Sequence, residues 1–255
     1  MPIVTLTTDF GTTDYHSGAL KGALLSAEPT LTIVDISHNV AHYNIVQGAF
    51  VFRNAWRTFP RKTIHCLSIN DLPEHPLPYI ALEREGHFFI GPDNGLLHLI
   101  FGEHRGPVYR LPHPDEGVFV ERAIFARACA HLAAGKSLET IGEPSQGLVQ
   151  RITFQPVISK DTIRGSIIFV DHYGNAITNI TKPLFEQVAQ DRPFALYFRR
   201  HDPIRQLSTH YSEKGVGEPL CLFNTIDHLE LAINMGNASS LLALHVEDAI
   251  QIDFH

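Results

Sequence analysis

The chain has 255 residues, 44% of them hydrophobic and 18% charged, and a net charge of -7 at pH 7. That is length for one large domain or two smaller ones, with no basic field to attract nucleic acid. No apolar run approaches membrane-spanning length, and Met1-Pro2-Ile3-Val4 enters a strand-like run without a basic signal-peptide opening, so a cytoplasmic protein is expected. In chain order, a β-rich run over 3–7 ends at Thr8-Asp9-Phe10-Gly11. Leu20, Ala23, Leu24 and Ala27 then predict a helix over 18–28, closed by Pro29. An apolar strand is predicted over 31–36, and Asn44 is placed to cap a helix from 45 to about 56. A third strand is predicted over 63–69. Strands alternating with helices predict a mostly parallel sheet covered on both faces. Ligands of such sheets sit beyond the carboxyl ends of the strands, where the Asp9 and Asn70 loops fall.

Residues 79–82 and 87–90, joined by 83–86, predict a hairpin that extends the sheet. Gly91-Pro92-Asp93-Asn94-Gly95 is a dense architectural turn before an apolar segment over 96–101, and a helix over 121–134 is stopped by Gly135. After Glu143-Pro144 the pattern changes to short strands over 163–170, 194–198, 220–223, 229–233 and 249–253, with a helical turn at 185–189 and a polar, exposed loop over 202–217. An α/β N-terminal domain over 1–145 and an all-β C-terminal domain over 152–255 are therefore expected.

Cys66, Cys129 and Cys221 are widely spaced in apolar surroundings, which indicates neither a disulfide framework nor a zinc knuckle. Of the sixteen histidines, His38 and His42 lie four apart in a loop-like context, and His201 and His210 fall in another polar stretch. No second pair has zinc-like spacing, so no metal is expected. The stretch over 165–180 is more informative. Its β-formers end at Asp171-His172-Tyr173-Gly174-Asn175, which gathers a carboxylate, an aromatic face and an amide. Such a tip suits a small ligand with an amine and a flat ring; it equally suits an ordinary hairpin turn.

Thr7-Thr8-Asp9-Phe10-Gly11-Thr12 with Gly18 and Lys21-Gly22, then Ile36-Ser37-His38, Gly91-Pro92-Asp93-Asn94-Gly95-Leu96-Leu97, Asp171-His172-Tyr173-Gly174-Asn175 and Thr178-Asn179-Ile180, stand in an order that resembles the S-adenosyl-L-methionine (SAM) hydroxide adenosyltransferases. Asn224-Thr225 and Leu229-Glu230-Leu231-Ala232 resemble that family's C-terminal pattern. These SAM hydrolases share a superfamily with the SAM-dependent fluorinase and chlorinase. The resemblance spans nearly the whole chain. It implies an α/β domain followed by a small β-barrel domain, and a homotrimer that binds SAM or adenosine between one protomer's N-terminal domain and its neighbour's C-terminal domain. No cofactor is implied beyond SAM as substrate or ligand. Asp9 is implied to hold the ribose hydroxyls and Asp171 the methionine ammonium. Tyr173 is implied to pack on the adenine or methionine part, and Asn175 to read the adenine edge. Thr225 stands where the family has a serine near the amino-acid end of SAM, and Glu230 reads as a barrel residue.

The family's water-activating aspartate, arginine and histidine are replaced. Counting from both sides puts Asn70 at the aspartate, Leu77 and Pro78 at the arginine pair, and Val120 at the histidine; His16 replaces a common tyrosine. SAM's sulfonium leaves as a neutral thioether, so attack at the ribose C5′ needs an activated nucleophile rather than a general acid. Asn70 can position a water but cannot take its proton. Asp71, Glu74 or His75 offer substitutes, or they belong to a solvated Pro-rich loop. Three functions follow: a SAM hydrolase with a rebuilt water site, a SAM- or adenosine-binding protein without turnover, and a halogenase. The last ranks lowest, because no insertion like the halogenase loop lies between Phe101 and Glu121.

Overall fold

In the computed structural model the described residues are 1–70, 77–114, 119–152, 155–199 and 201–255. They divide into two units, Met1–Thr153 and Phe154–His255.

The first unit runs β1 (Ile3–Thr8), α1 (His16–Ala27), β2 (Thr32–Ser37), α2 (Ile45–Arg53), β3 (Ile64–Ser68), β4 (Tyr79–Arg84), β5 (His87–Pro92), α3 (Leu96–Phe101), β6 (Val108–Arg110), α4 (Val120–Ala133) and β7 (Glu143–Pro144). The sheet order is β2-β1-β3-β5-β4-β6-β7. Pairings β1–β2, β1–β3 and β3–β5 are parallel, and β4–β5, β4–β6 and β6–β7 are antiparallel. The sheet is thus mixed where a mostly parallel one is expected from the sequence. The β4–β5 hairpin reverses direction through Glu85 and Gly86, both at positive φ (53° and 80°), the geometry of a two-residue type I′ turn.

Side-chain alternation sorts the core. Val4, Leu6, Cys66, Tyr79 and Ala81 pack with Leu20 and Leu24 of α1 and with Ile124, Phe125 and Ala128 of α4. On the other face Leu67, Ile69, Ile80 and Phe89 pack with α2, α3 and Trp56. Asn44 caps α2 as expected, its Oδ1 accepting from Gln47 N at 2.9 Å. That helix ends at Arg53 rather than near Trp56, because Asn54 Nδ2 turns back onto Phe50 O at 2.8 Å and Trp56–Thr58 continues as a separate 3-10 turn. Helix α1 starts two residues earlier than its apolar spacing suggests. Asp14 Oδ1 accepts the His16 N–H at 3.0 Å, so the first turn is held from outside the apolar stripe.

The second unit runs β8 (Val157–Ile158), β9 (Thr162–Val170), β10 (Ala176–Thr181), α5 (Lys182–Ala189), β11 (Phe194–Phe198), β12 (Pro219–Phe223), β13 (His228–Ile233), α6 (Ala238–Leu241) and β14 (Ala249–Phe254). Its sheet is antiparallel, in the order β11-β14-β9-β10-β13-β12, with β8 on β9. It curls because β9 changes partner midway: Thr162 to Ser166 pair with β14, and Ile167 to Val170 with β10. The unit is β-rich but not wholly β. Pro183 sits in the first turn of α5, a position that suits its fixed φ and missing N–H, and Phe185, Val188 and Ala189 bury that helix against the sheet. The polar stretch over 202–217 is also tied down. Ile204 bridges to Leu196, Leu207 bridges to Cys221, and both apolar side chains pack on the core.

Candidate functional site

Two clusters hold the residues singled out in the sequence, one in each unit. In the first unit, the register Thr8 opposite Ser68 leaves Asp9 and Asn70 just beyond neighbouring strand ends. Strand β5 runs parallel to β3, and antiparallel β4 begins with Tyr79 opposite Pro92, the last residue of β5. The end of β1, the end of β3 and the start of β4 therefore open on one edge.

Asp9 is half-buried there, and its Oδ2 accepts from Tyr43 N at 3.0 Å. Tyr43 takes the left-handed conformation (φ 64°), which turns that N–H toward the strand end. Burial outweighs this bond and the nearby His42, so the Asp9 carboxyl sits above its ordinary pKa. His38, weighed as a metal ligand in the sequence, is buried in a polar relay instead. Its Nδ1 lies 2.7 Å from Thr8 Oγ1 and its Nε2 3.1 Å from Asp35 Oδ1, while Asp35 Oδ2 accepts from Lys21 Nζ at 2.5 Å. Among the described residues no group of three or more His, Cys, Asp or Glu side chains is placed to hold a metal ion.

Asn70 is half-buried, two residues beyond Ser68. Asp71, Glu74 and His75 lie outside the described residues. Val120 opens α4 with its side chain in the core, and Leu77 is buried. Phe10, His16 and Phe119 form an aromatic corner, with Phe119 edge-on to both other rings at 5.4 Å. Next to it stands a group that local sequence does not reveal. Tyr79 is 2% exposed, its hydroxyl lies 3.4 Å from Ser68 Oγ, and it faces the Glu121 carboxylate. Burial first, then the charges of Glu121 and Asp9, push the Tyr79 hydroxyl well above its usual pKa. Sequence shows Tyr79 only as an aromatic at a strand start, and β4 alone does not say what its hydroxyl meets.

In the second unit, Asp171 follows β9 and closes the turn into β10. Its Oδ1 accepts from Asn175 N at 2.8 Å and its Oδ2 from Asn175 Nδ2 at 3.1 Å. Gly174 (φ 85°) supplies the left-handed step, and Tyr173 is held outward, 77% exposed. The Asp171–Asn175 pair is thus a turn-forming unit in its own right, and it also leaves the exposed Tyr173 ring beside a carboxylate. Thr225 is exposed at the tip between β12 and β13, where Asn224 Oδ1 accepts from Ile226 N and His228 N, both at 3.1 Å. Behind that tip, Glu230 is 3% exposed. It accepts from Tyr211 Oη at 2.8 Å and from Asn224 Nδ2 at 3.1 Å. Burial chiefly raises its pKa, those two donors oppose the rise, and Asp171's charge adds to it. Asp171, Tyr211, Asn224 and Glu230 are therefore one electrostatic group. The sequence signal for Glu230 was a lone carboxylate inside the apolar run Leu229–Ala232, which calls for hydrogen-bond donors once buried.

A family model described as the SAM hydroxide adenosyltransferase N-terminal domain matches residues 4–142, and the model for that family's C-terminal domain matches residues 165–251. An (R)-S-adenosyl-L-methionine hydrolase of Methanocaldococcus jannaschii is 29% identical over 264 residues, covering 99% of this chain and 96% of the relative. A fluorinase of Actinopolyspora mzabensis is 28% identical over 271 residues, covering 91% of each. Among solved structures, an uncharacterized conserved protein from Thermotoga maritima aligns with a TM-score of 0.85 at 25% identity, covering 98% of this chain and 99% of that one.

Proposed function

The chain belongs to the SAM hydroxide adenosyltransferase family, and from that premise we propose that it binds SAM and hydrolyses it to adenosine and L-methionine by water attack at C5′. The observation that carries the reading is a carboxylate site in each unit, considered separately: Asp9, half-buried at the mouth of β1, and Asp171, which shares one electrostatic group with Glu230 beside the exposed Tyr173. A carboxylate such as Asp9 accepts from two vicinal hydroxyls at once, as a ribose presents them. Asp171 supplies the counter-charge for an ammonium, and Tyr173 a flat face for the adenine or methionine part. Asn175 reads an adenine edge, and Thr225 offers a hydroxyl to the amino-acid end. In this reading the protein is a homotrimer with SAM at the interface between protomers, and no cofactor takes part.

The second reading, SAM or adenosine binding without turnover, has its own observation in favour. Asn70 has no ionisable group, Val120 is a core residue, and Leu77 is apolar and buried, so the family's proton-handling set is gone from these positions. Incubating the purified protein with SAM, followed by chromatography for adenosine and methionine, separates the two. Calorimetric titration with SAM and with adenosine runs alongside. Asp9→Ala and Asp171→Ala are each expected to weaken SAM binding at least tenfold, the scale of a lost charge-assisted contact. Parent-like binding by both variants overturns the ligand assignment. A single-chain mass in light scattering overturns the interface site.

A further inference from the structure

The edge opened by β1, β3 and β4 has more than one carboxylate among its described residues, and they are not equivalent. Asp9 Oδ2 accepts the Tyr43 N–H at 3.0 Å, and Asp93 Oδ1 accepts the Val149 N–H at 3.0 Å. Each accepts one backbone N–H, and Asp9 is the carboxylate assigned above to the ribose hydroxyls. Glu121 differs: it stands in the first turn of α4, half-buried, and faces a phenol. Its position is fixed by packing. Phe125 lies one turn further on the same face of α4, and its ring meets the Tyr79 ring edge-on at 5.7 Å with an interplanar angle of 75°. Tyr79 thus sits beneath both Phe125 and Glu121, ring against ring and hydroxyl against carboxylate. Ser68 Oγ lies 3.4 Å from that hydroxyl, and Asn70 follows two residues beyond the end of β3.

From this arrangement we infer that Glu121, held by the Tyr79 hydroxyl, is the proton acceptor for the attacking water in this chain, with Asn70 orienting the water. The inference rests on the hydrolase reading above. In the step, the water oxygen forms its bond to C5′ while the C5′–S electron pair leaves with sulfur, giving the neutral thioether of methionine. The proton shed by the water passes to a Glu121 oxygen and then to solvent, so that SAM and water yield adenosine, methionine and one proton. Around Glu121 stand the Tyr79 hydroxyl of β4, which also feels the charge of Asp9 at the end of β1, and His16 of α1, which packs on Phe119 two residues before Glu121. A phenol that turns between Ser68 and Glu121 can release the carboxylate for the water and recapture it afterwards.

The test is the pH profile of SAM turnover for the parent chain, Glu121→Gln, Glu121→Asp and Tyr79→Phe, with calorimetric SAM titration of each. Glu121→Gln is expected to lower kcat about 10²- to 10⁴-fold, the contribution of a positioned base, while SAM affinity changes only a few-fold. The acid limb of the parent's profile is expected to vanish in that variant. Glu121→Asp retains part of the rate, and Tyr79→Phe keeps the acid limb but moves its midpoint. Parent-like turnover by Glu121→Gln overturns the inference and returns the role to Asp71, Glu74 or His75. Equal losses in Gln and Asp variants, with an unchanged profile, overturn it in favour of a packing role. If the parent binds SAM and never turns it over, the proton-acceptor assignment falls while the binding assignment stands. If the parent neither binds nor hydrolyses SAM, both fall.

Discussion

Glu230 is a carboxylate sealed between Leu229 and Leu231, and its two donors decide whether it can stay ionised. Tyr211 Oη at 2.8 Å and Asn224 Nδ2 at 3.1 Å each take one oxygen. Burial raises its pKa and Asp171's charge adds to the rise, so the donors are what hold the ionised form. Tyr211→Phe keeps the ring and removes one donor. It is expected to cost about 1–3 kcal/mol in urea unfolding at neutral pH, the range for a hydrogen bond to a charged group. That deficit should narrow as pH falls toward 5, because the lost bond favours the charged carboxylate over the neutral one. A variant with the parent's midpoint at neutral pH sinks this account. The same residues show what was legible at this scale. Asp171 and Asn175 lie four apart in a turn, so their mutual hydrogen bonds follow from local sequence. Tyr211 comes from a 3-10 turn, Tyr211–Glu213, inside a polar stretch, and no local pattern announces that its hydroxyl crosses to β13.

At the scale of elements, β9 carries the second unit by pairing with three strands, β8 and β14 along its first half and β10 along its second, and Gly165 lies near the change. Its backbone approaches β10 so closely that a Cβ there would lie 2.5 Å from Asn179 Oδ1 and 2.7 Å from Ile180 Cγ1. Asn179 Oδ1 accepts from Ser166 N at 2.9 Å, stitching the strands where the regular ladder shifts. Gly165→Ala is expected to destabilise by about 1–3 kcal/mol through overpacking. Combined with Asn179→Ala it should cost less than the two single changes added, because the smaller side chain removes part of the clash. Strict additivity in the double-mutant cycle would remove Asn179 as the steric partner. Period and punctuation made most elements readable: apolar spacing for α1, α2 and α4, and a clear β-run for β1, β2 and β3. Beyond the expected β4–β5 hairpin, the sense of the sheet is not readable in the same way. Direction is set by the path a chain takes back to the sheet, and strands as short as Val108–Arg110 and Glu143–Pro144 leave almost no pattern. Helix α5 is visible only as a turn, because Pro183 at its start reads as a break and its burial depends on the sheet beneath it.

For the whole molecule, the test is acid stability, and one buried histidine dominates the mildly acidic range. His65 lies on β3 with Nδ1 2.7 Å from Thr5 Oγ1 and Nε2 3.2 Å from His87 Nδ1, its ring stacked on Phe89 at a centroid distance of 5.0 Å. Burial, and then the charge of His87, lower its pKa from 6.5 to about 3. The unfolded chain therefore binds a proton that the folded chain refuses. Stability from this group is complete above pH 6.5 and is lost progressively as pH falls toward 3. The slope approaches about 1.4 kcal/mol per pH unit for one proton. His87 is lowered too, chiefly by burial, and adds in the same direction. Asp9 and Glu230, both raised by burial, act in the opposite sense as they protonate, and the lowered Asp35 and Asp248 begin to cost stability only nearer their own range. Between about pH 6.5 and 5 the histidines are therefore the main contributors. Urea unfolding free energies of the parent should fall steadily across that interval. His65→Gln, less stable at neutral pH, should show a visibly shallower slope. A slope as steep as the parent's would place the acid sensitivity elsewhere, whatever the variant's stability at neutral pH.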